Sequence, residues 1–176
     1  MKNQSTCNIR LATPEDVPFL PDIEEVACQL FLQYEITADL PLYLTPLEDF
    51  YEAQKHGLLW VAAVDETPVG FALVEMIGGL PHLEELDVLP DYGRQGIGAN
   101  LVRTICDWAR AIGIPAVTLT TFRDIPWNAP FYQKLGFRIL EAEELTPSQL
   151  QIVEEEERHG LKRELRVMMR YEIGSA

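Results

Sequence analysis

Val88-Leu89-Pro90-Asp91-Tyr92-Gly93-Arg94-Gln95-Gly96-Ile97-Gly98-Ala99 joins a strand-like run, His82 to Leu89, to a segment in which Leu101, Ile105, Trp108, Ala109 and Ile112 share one helical face. Its glycines stand in the order G-x-x-G-x-G. The dinucleotide fingerprint has the reverse order, G-x-G-x-x-G, and a P-loop needs a glycine followed by Lys and Ser or Thr. Neither is present. The spacing still suits an anion, because residues without side chains let main-chain N–H groups approach a ligand. The helix that follows turns its positive end to the same place, and Arg94 adds a full charge. A pyrophosphate is the natural guest. A plain tight turn with glycines at positive φ is the alternative.

On the N-terminal side, Leu58 to Val64 and Val69 to Ile77 read as strands around a hairpin loop, Asp65-Glu66-Thr67-Pro68, and Gly78-Gly79-Leu80-Pro81 punctuates before the next run. Thr13-Pro14, Thr45-Pro46 and Thr146-Pro147 each place a hydroxyl at a helix N-cap and proline at the first helical position. Asp16, Glu48 and Gln149, three residues on, can reach back to the cap. Pro18 and Pro21 limit the first start to a short turn, and a helix runs from about Asp22 with Ile23, Val26, Ala27, Leu30, Phe31 and Tyr34 as its buried stripe. On the C-terminal side, Ala116 to Phe122 is a strand rich in Thr and Val, and Ala129 to Leu135 is a short helix stopped by Gly136. Phe137 to Ala142 and Leu165 to Ile173 are strands separated by the third Thr-Pro helix, and the Glu154 to Glu157 run reads as a solvated helix end. The pattern is that of an α/β (α+β) chain with both hairpin and crossover connections.

The 176 residues suit one domain, 1–176, and 47 % hydrophobic against 24 % charged residues allow an ordinary core. A net charge of −14 opposes a nucleic-acid binder or a protein held on anionic lipid. No apolar run approaches the roughly 20 residues of a membrane span, and Met1 to Thr6 lack a signal-peptide core, so a cytoplasmic protein is expected. Cys7, Cys28 and Cys106 form no CxxC pair, fit a reducing compartment, and call for no metal.

The strand, proline, acidic residue, glycine turn with Arg-Gln and amphipathic helix resemble motif A of the GNAT superfamily, the acyl-CoA-dependent N-acyltransferases. That motif reads Gln/Arg-x-x-Gly-x-Gly/Ala. Gly96 and Gly98 match its small positions, while Gly93 stands where Gln or Arg leads and the arginine is displaced to Arg94. Trp127-Asn128-Ala129-Pro130-Phe131-Tyr132-Gln133-Lys134-Leu135-Gly136-Phe137 is similar to motif B, an Asn followed by Tyr-x-Lys-x-Gly-Phe, in the family's order. The resemblance covers about a third of the chain. It implies a mixed central sheet of six or seven strands flanked by helices, with a parallel strand pair that splays at the coenzyme site.

It also implies acetyl-CoA as co-substrate, its pantetheine arm against the main chain of Leu86, Asp87 and Val88. The pyrophosphate would lie on Arg94, Gln95, Gly96, Ile97, Gly98 and Ala99, with Asn128 either touching the coenzyme or capping its helix. The implied reaction is direct attack by a primary amine on the thioester. Such an amine resembles Lys, with a pKa of about 10.4, so a base must take its proton. Glu84 or Glu85 is the candidate base, and period two separates His82 and Glu84 from Glu85 and Asp87 unless a bulge intervenes. Tyr132 occupies the general-acid position that would protonate the departing thiolate. The acceptor is a small-molecule or peptide amine, its site drawn from Phe31 to Tyr51 and Arg123 to Trp127, with Tyr34, Tyr43 and Trp127 as candidates for an aromatic wall. The acidic balance favours a cationic acceptor by steering. A second copy of the chain is a candidate partner, and a non-catalytic acyl-CoA-binding module on the same fold is the rival reading.

Overall fold

The computed structural model describes residues 7–34 and 44–174, so residues 35–43 of the expected acceptor site, Tyr43 of its aromatic wall among them, lie outside the described residues. In chain order the elements are β1 (Cys7–Leu11), α1 (Leu20–Cys28), α2 (Leu47–Lys55), β2 (Leu59–Val64), β3 (Thr67–Ile77), β4 (Leu80–Val88) and α3 (Ile97–Ala111). There follow β5 (Ala116–Phe122), α4 (Ala129–Lys134), β6 (Arg138–Ile139), α5 (Pro147–Arg158) and β7 (Arg166–Glu172). The strands form one seven-stranded mixed sheet in the order β1-β2-β3-β4-β5-β7-β6. None of the helices among the described residues is long and apolar enough to cross a membrane.

Two compact units divide the chain, Met1–Val74 with Glu85–Ile105, and Glu75–Glu84 with Cys106–Ala176. In the first, Val17, Leu20 and Ile23 pack with Phe50 of α2, Leu59 and Val61 of β2, and Phe71 and Leu73 of β3. Phe50 and Phe71 meet edge to face with ring centres 5.2 Å apart. In the second, Leu140, Val153 and Met168 form a smaller cluster under α5. There β5 pairs antiparallel with β7 along its whole length, from Ala116↔Glu172 to Phe122↔Arg166.

The parallel ladder between β4 and β5 has two residue pairs, His82↔Thr118 and Leu83↔Leu119, although β4 runs on to Val88 and β5 to Phe122. This is the expected splay. A strand that outlives its ladder keeps main-chain donors and acceptors to offer to something else.

Several boundaries differ from expectation, each for a local reason. The β2–β3 turn is only Asp65-Glu66, both at positive φ (48° and 63°), so Thr67 and Pro68 already belong to the strand. The stripe expected along α1 fails at two places. Val26 is 38 % exposed and Glu24 is 1 % exposed. The chain also tightens into a 3-10 turn at Gln29–Gln33, whose three-residue period no longer keeps Leu30, Phe31 and Tyr34 on the helical face. Thr45 does not cap α2, which starts at Leu47. Its N–H and hydroxyl donate to the Glu24 carboxylate at 2.9–3.1 Å. The third Thr-Pro start behaves as expected, with Thr146 and Gln149 exchanging cap bonds. The strand expected over Phe137 to Ala142 shrinks to β6, because Ala142–Glu144 turn into a 3-10 helix boxed by Glu141 and Glu144.

Gly70 of β3 is the tightest backbone approach. A methyl group built there would stand 2.7 Å from the Asp87 carbonyl oxygen and 3.2 Å from Val88 Cα, both main chain and unable to yield. Gly70→Ala is therefore expected to lower unfolding stability by about 1–3 kcal/mol in urea titration. An unchanged midpoint would contradict that packing.

Candidate active site

The turn between β4 and α3 is built from its backbone outward. Pro90–Tyr92 make a single 3-10 turn, closed by Gly93 N–H donating to the Pro90 carbonyl. The Gln95 side-chain amide then donates to the Asp91 carbonyl at 3.2 Å. Of the three glycines only Gly96 has positive φ, 83°. The other left-handed residue is Arg94, at 58°, a conformation uncommon for a side-chain-bearing residue outside glycine, Asn or Asp. Gly96 is thus required for its conformation, whereas Gly98 already lies within α3. A Cβ at Gly96 would meet nothing within 4 Å, so the space beside the turn is open. Open space, a helix N-terminus and the Arg94 charge fit an anionic group.

Asn128 lies at the start of α4, but its side chain does not cap that helix. Its Oδ1 accepts from Thr121 Oγ1 at 2.7 Å and from Phe122 N–H at 3.3 Å, which ties α4 to the end of β5. Tyr132, one turn along α4, is 8 % exposed. Its ring meets Phe131 and Phe137 edge to face, with centres 5.0 and 5.7 Å away. Gly136 ends this helix with φ at 98°, as its position after Leu135 led one to expect.

The acids of β4 fall into two groups, divided as period two requires. His82 is fully buried, and its Nδ1 lies 2.9 Å from Thr118 Oγ1. Its Nε2 stands 3.9 Å from Glu84 Oε2. Burial lowers the pKa of His82 to about 4, so at neutral pH it is uncharged and forms no ion pair with Glu84. Glu84 itself is pushed up to about 7, first by desolvation and then by Glu75, Glu156 and Glu155, with Arg166 opposing. Its side chain remains 44 % exposed, within reach of an incoming molecule.

Glu85 and Asp87 share surroundings with Glu24 of α1. Asp87 is 8 % exposed, and burial together with Glu24 drives its carboxyl well above the usual range. The side chain of Asp87 is thus committed to the interior, leaving its main chain as the part that a pantetheine arm could use.

Sequence reasoning took Glu154 to Glu157 for a solvated run, and Glu156 departs from it. It is 15 % exposed in its side chain and holds Arg166 through two bonds, Nη2 to Oε1 at 2.6 Å and Nε to Oε2 at 3.3 Å. Thr120 Oγ1 donates to Glu156, and the Arg166 guanidinium covers the Phe122 ring at 4.8 Å. A cavity of about 230 Å³ opens beside this pair, lined also by Arg123, Leu145 and Arg163. Only a helical face drawn against β7 could have separated Glu156 from its neighbours.

The mixed seven-stranded sheet holds a parallel pair that parts after two residues, and a glycine turn opens the helix that follows β4. The model of the acetyltransferase (GNAT) family matches residues 23–137, and the chain belongs to that family. Among curated proteins it is similar to "Probable N-acetyltransferase camello" of Xenopus tropicalis, 29 % identical over 100 residues, which are 52 % of this chain and 43 % of that one. It is also similar to glucosamine 6-phosphate N-acetyltransferase of Trypanosoma brucei brucei, 37 % identical over 57 residues, 32 % of this chain and 37 % of that one. The matches thus span less than half the length of these relatives. Among solved structures it is similar in fold to PaiA N-acetyltransferase of Thermoplasma acidophilum, crystallised with coenzyme A. The TM-score is 0.67 at 19 % identity, over 95 % of this chain and 99 % of that one.

Asp87 provides a test of the electrostatics. A carboxyl whose folded-state pKa is raised binds more protons folded than unfolded, so it lowers stability as pH rises. The penalty is absent below about pH 4, where both states are protonated, and it grows toward the folded-state value. Asp87→Asn should therefore melt higher than wild type at pH 8, with the difference vanishing near pH 4. A variant that melts lower at pH 8 would contradict an uncompensated charge there.

Proposed function

We propose that the chain is an acetyl-CoA-dependent N-acetyltransferase that works by direct attack of a primary amine in a ternary complex. The observation that carries this reading is Glu84, a reachable carboxylate held near pH 7 on the strand that leads into the glycine turn. A base with that pKa is half ionised at neutral pH, where it both accepts a proton readily and releases it again.

Arg94 and the main-chain N–H groups of residues 95–99 would hold the coenzyme's pyrophosphate, with the main chain of Leu86 to Val88 taking its pantetheine arm. The coenzyme supplies an acetyl thioester. Glu84 takes the proton from the acceptor amine as its nitrogen bonds to the acetyl carbon. The carbon–sulfur bond then breaks, and Tyr132 gives a proton to the sulfur. The products are an N-acetylamine and free thiol. A main-chain N–H of β4 would face the carbonyl oxygen and stabilise its developing charge. His82, neutral and fixed by Thr118, backs Glu84 without neutralising it. Membership of the family and the coenzyme in the PaiA crystal support this assignment. The whole chain, 1–176, is proposed to act as one acetyltransferase domain.

Wild-type kcat/KM for an amine acceptor, followed by thiol release, should rise with pH through an inflection near 7. Glu84→Gln should remove that inflection and lower kcat/KM by about 100-fold or more, while calorimetric coenzyme A affinity is retained. Tyr132→Phe should lower kcat with little change in the acetyl-CoA KM. If a broad amine panel releases no thiol from acetyl-CoA, the reading fails and a non-catalytic coenzyme-binding module takes its place.

A further inference from the structure

The cavity of about 230 Å³ takes its charged lining from separate stretches of chain. Arg123 follows β5, Arg163 stands in the 3-10 turn Arg163–Leu165, Arg166 opens β7, and Glu156 comes from α5. The Arg123 N–H donates to the Leu165 carbonyl at 2.8 Å, which ties the end of β5 to that turn and brings both arginines to one cavity. Glu156 and Arg166 hold each other, while Thr120 Oγ1 donates to Glu156 and accepts from Arg166 Nη2 at 3.2 Å. Glu141, the other acid of the lining, forms the capping box with Glu144. The lining thus carries three guanidiniums against two carboxylates, in a chain whose net charge is −14. Its local sign is the reverse of the global one. Arg123 and Arg163 are exposed and can turn toward an incoming molecule, whereas Arg166 is half-buried and fixed by Glu156.

This lining selects its ligand. A guanidinium offers five N–H donors and no acceptor, in a fork that matches two oxygens of an oxyanion. Beside the arginines, Leu140, Val153 and Met168 supply an apolar wall. The volume falls below the roughly 300 Å³ at which pockets begin to enclose drug-sized molecules, so it suits a short carbon chain with one small charged group. Glu141 and Glu156 repel a phosphate dianion more strongly than a carboxylate monoanion. A carboxylate is the better complement.

The cavity also neighbours the base. His82 and Thr118 meet through Nδ1 and Oγ1 at 2.9 Å, so they share one face of the sheet. Glu84 and Thr120 each follow two residues further along their strands and turn to that same face, where Thr120 lines the cavity. Glu156 and Arg166, which also line it, act electrostatically on Glu84.

We propose that the cavity lined by Arg123, Arg163 and Arg166 receives a carboxylate of the acceptor, and that the substrate is an amino acid whose amine is acetylated beside Glu84. This rests on the acetyltransferase reading above and adds the substrate class to it.

The test compares α- and ω-amino acids of three to eight carbons with monoamines of equal length, on the full chain with acetyl-CoA. Binding of hexanoate, a carboxylate without an amine, is followed separately by NMR titration in the absence of the coenzyme. At least one amino acid should exceed its matched monoamine about 10-fold or more in kcat/KM, chiefly through KM. Arg123→Gln and Arg163→Gln, at exposed positions, each remove one guanidinium and leave the Arg166–Glu156 pair in place. Each should cut kcat/KM for the amino acid about 10-fold more than for the monoamine, and weaken hexanoate binding about 5-fold or more. Equal rates for amino acids and monoamines, or equal effects of the variants on both, overturn the carboxylate site and leave acetyl transfer standing. Hexanoate binding that the variants weaken, in a protein that acetylates no amine, supports the site and sinks the transferase reading. A preference for aminoalkyl phosphates over amino acids of equal length overturns the proposal in favour of a phosphate site.

Discussion

β4 carries acids into surroundings that remove water without supplying matching positive charge, and most of what is chemically distinctive about this protein follows from that imbalance. At Glu84 the imbalance is partial. The side chain stays half open, three glutamates press on it, and Arg166 relieves only some of the repulsion. The outcome is a carboxylate poised to exchange protons near neutrality. At Asp87 the imbalance is greater, because burial is nearly complete and its neighbour Glu24 has the same sign. One strand therefore carries two carboxyls with raised proton affinity, one reachable from solvent and one sealed inside.

The other asset of β4 is its edge. Two residue pairs with β5 are enough to hold the strands in parallel register, and the ladder then ends while β4 continues. Main-chain polar groups that have lost a sheet partner are a template for an extended ligand. Beyond Val88 the chain keeps the same preference for backbone contact, passing through the left-handed Arg94 and Gly96 into the first turn of α3. Backbone geometry rather than a set of side chains defines this region, which explains why glycine spacing is such an informative part of the sequence.

Legibility tracked the range of the forces involved. Gly96, Gly136, the Thr146 capping box and the strand Ala116 to Phe122 were all readable, because each is decided within four or five residues. The two motifs allowed Tyr132, Asn128 and the glycine turn to be named in advance. What escaped was long-range. Glu24 stands outside the apolar stripe read along its helix, yet is buried. Thr45 looked like a cap and instead serves Glu24, 21 residues earlier. Glu156 looked like one of four equivalent glutamates until β7 placed Arg166 against it. Charge pairs of this kind have no local signature.

By itself the sequence determined the family, the order of most elements and the glycine turn between β4 and α3, since these depend on glycine, proline and hydroxyl residues acting over short spans. Only the tertiary structure gave Glu84 a proton affinity near neutrality and revealed the company that Asp87 keeps. A carboxyl's proton affinity is set by the water it loses and the charges it meets, and both arrive from residues distant in the chain.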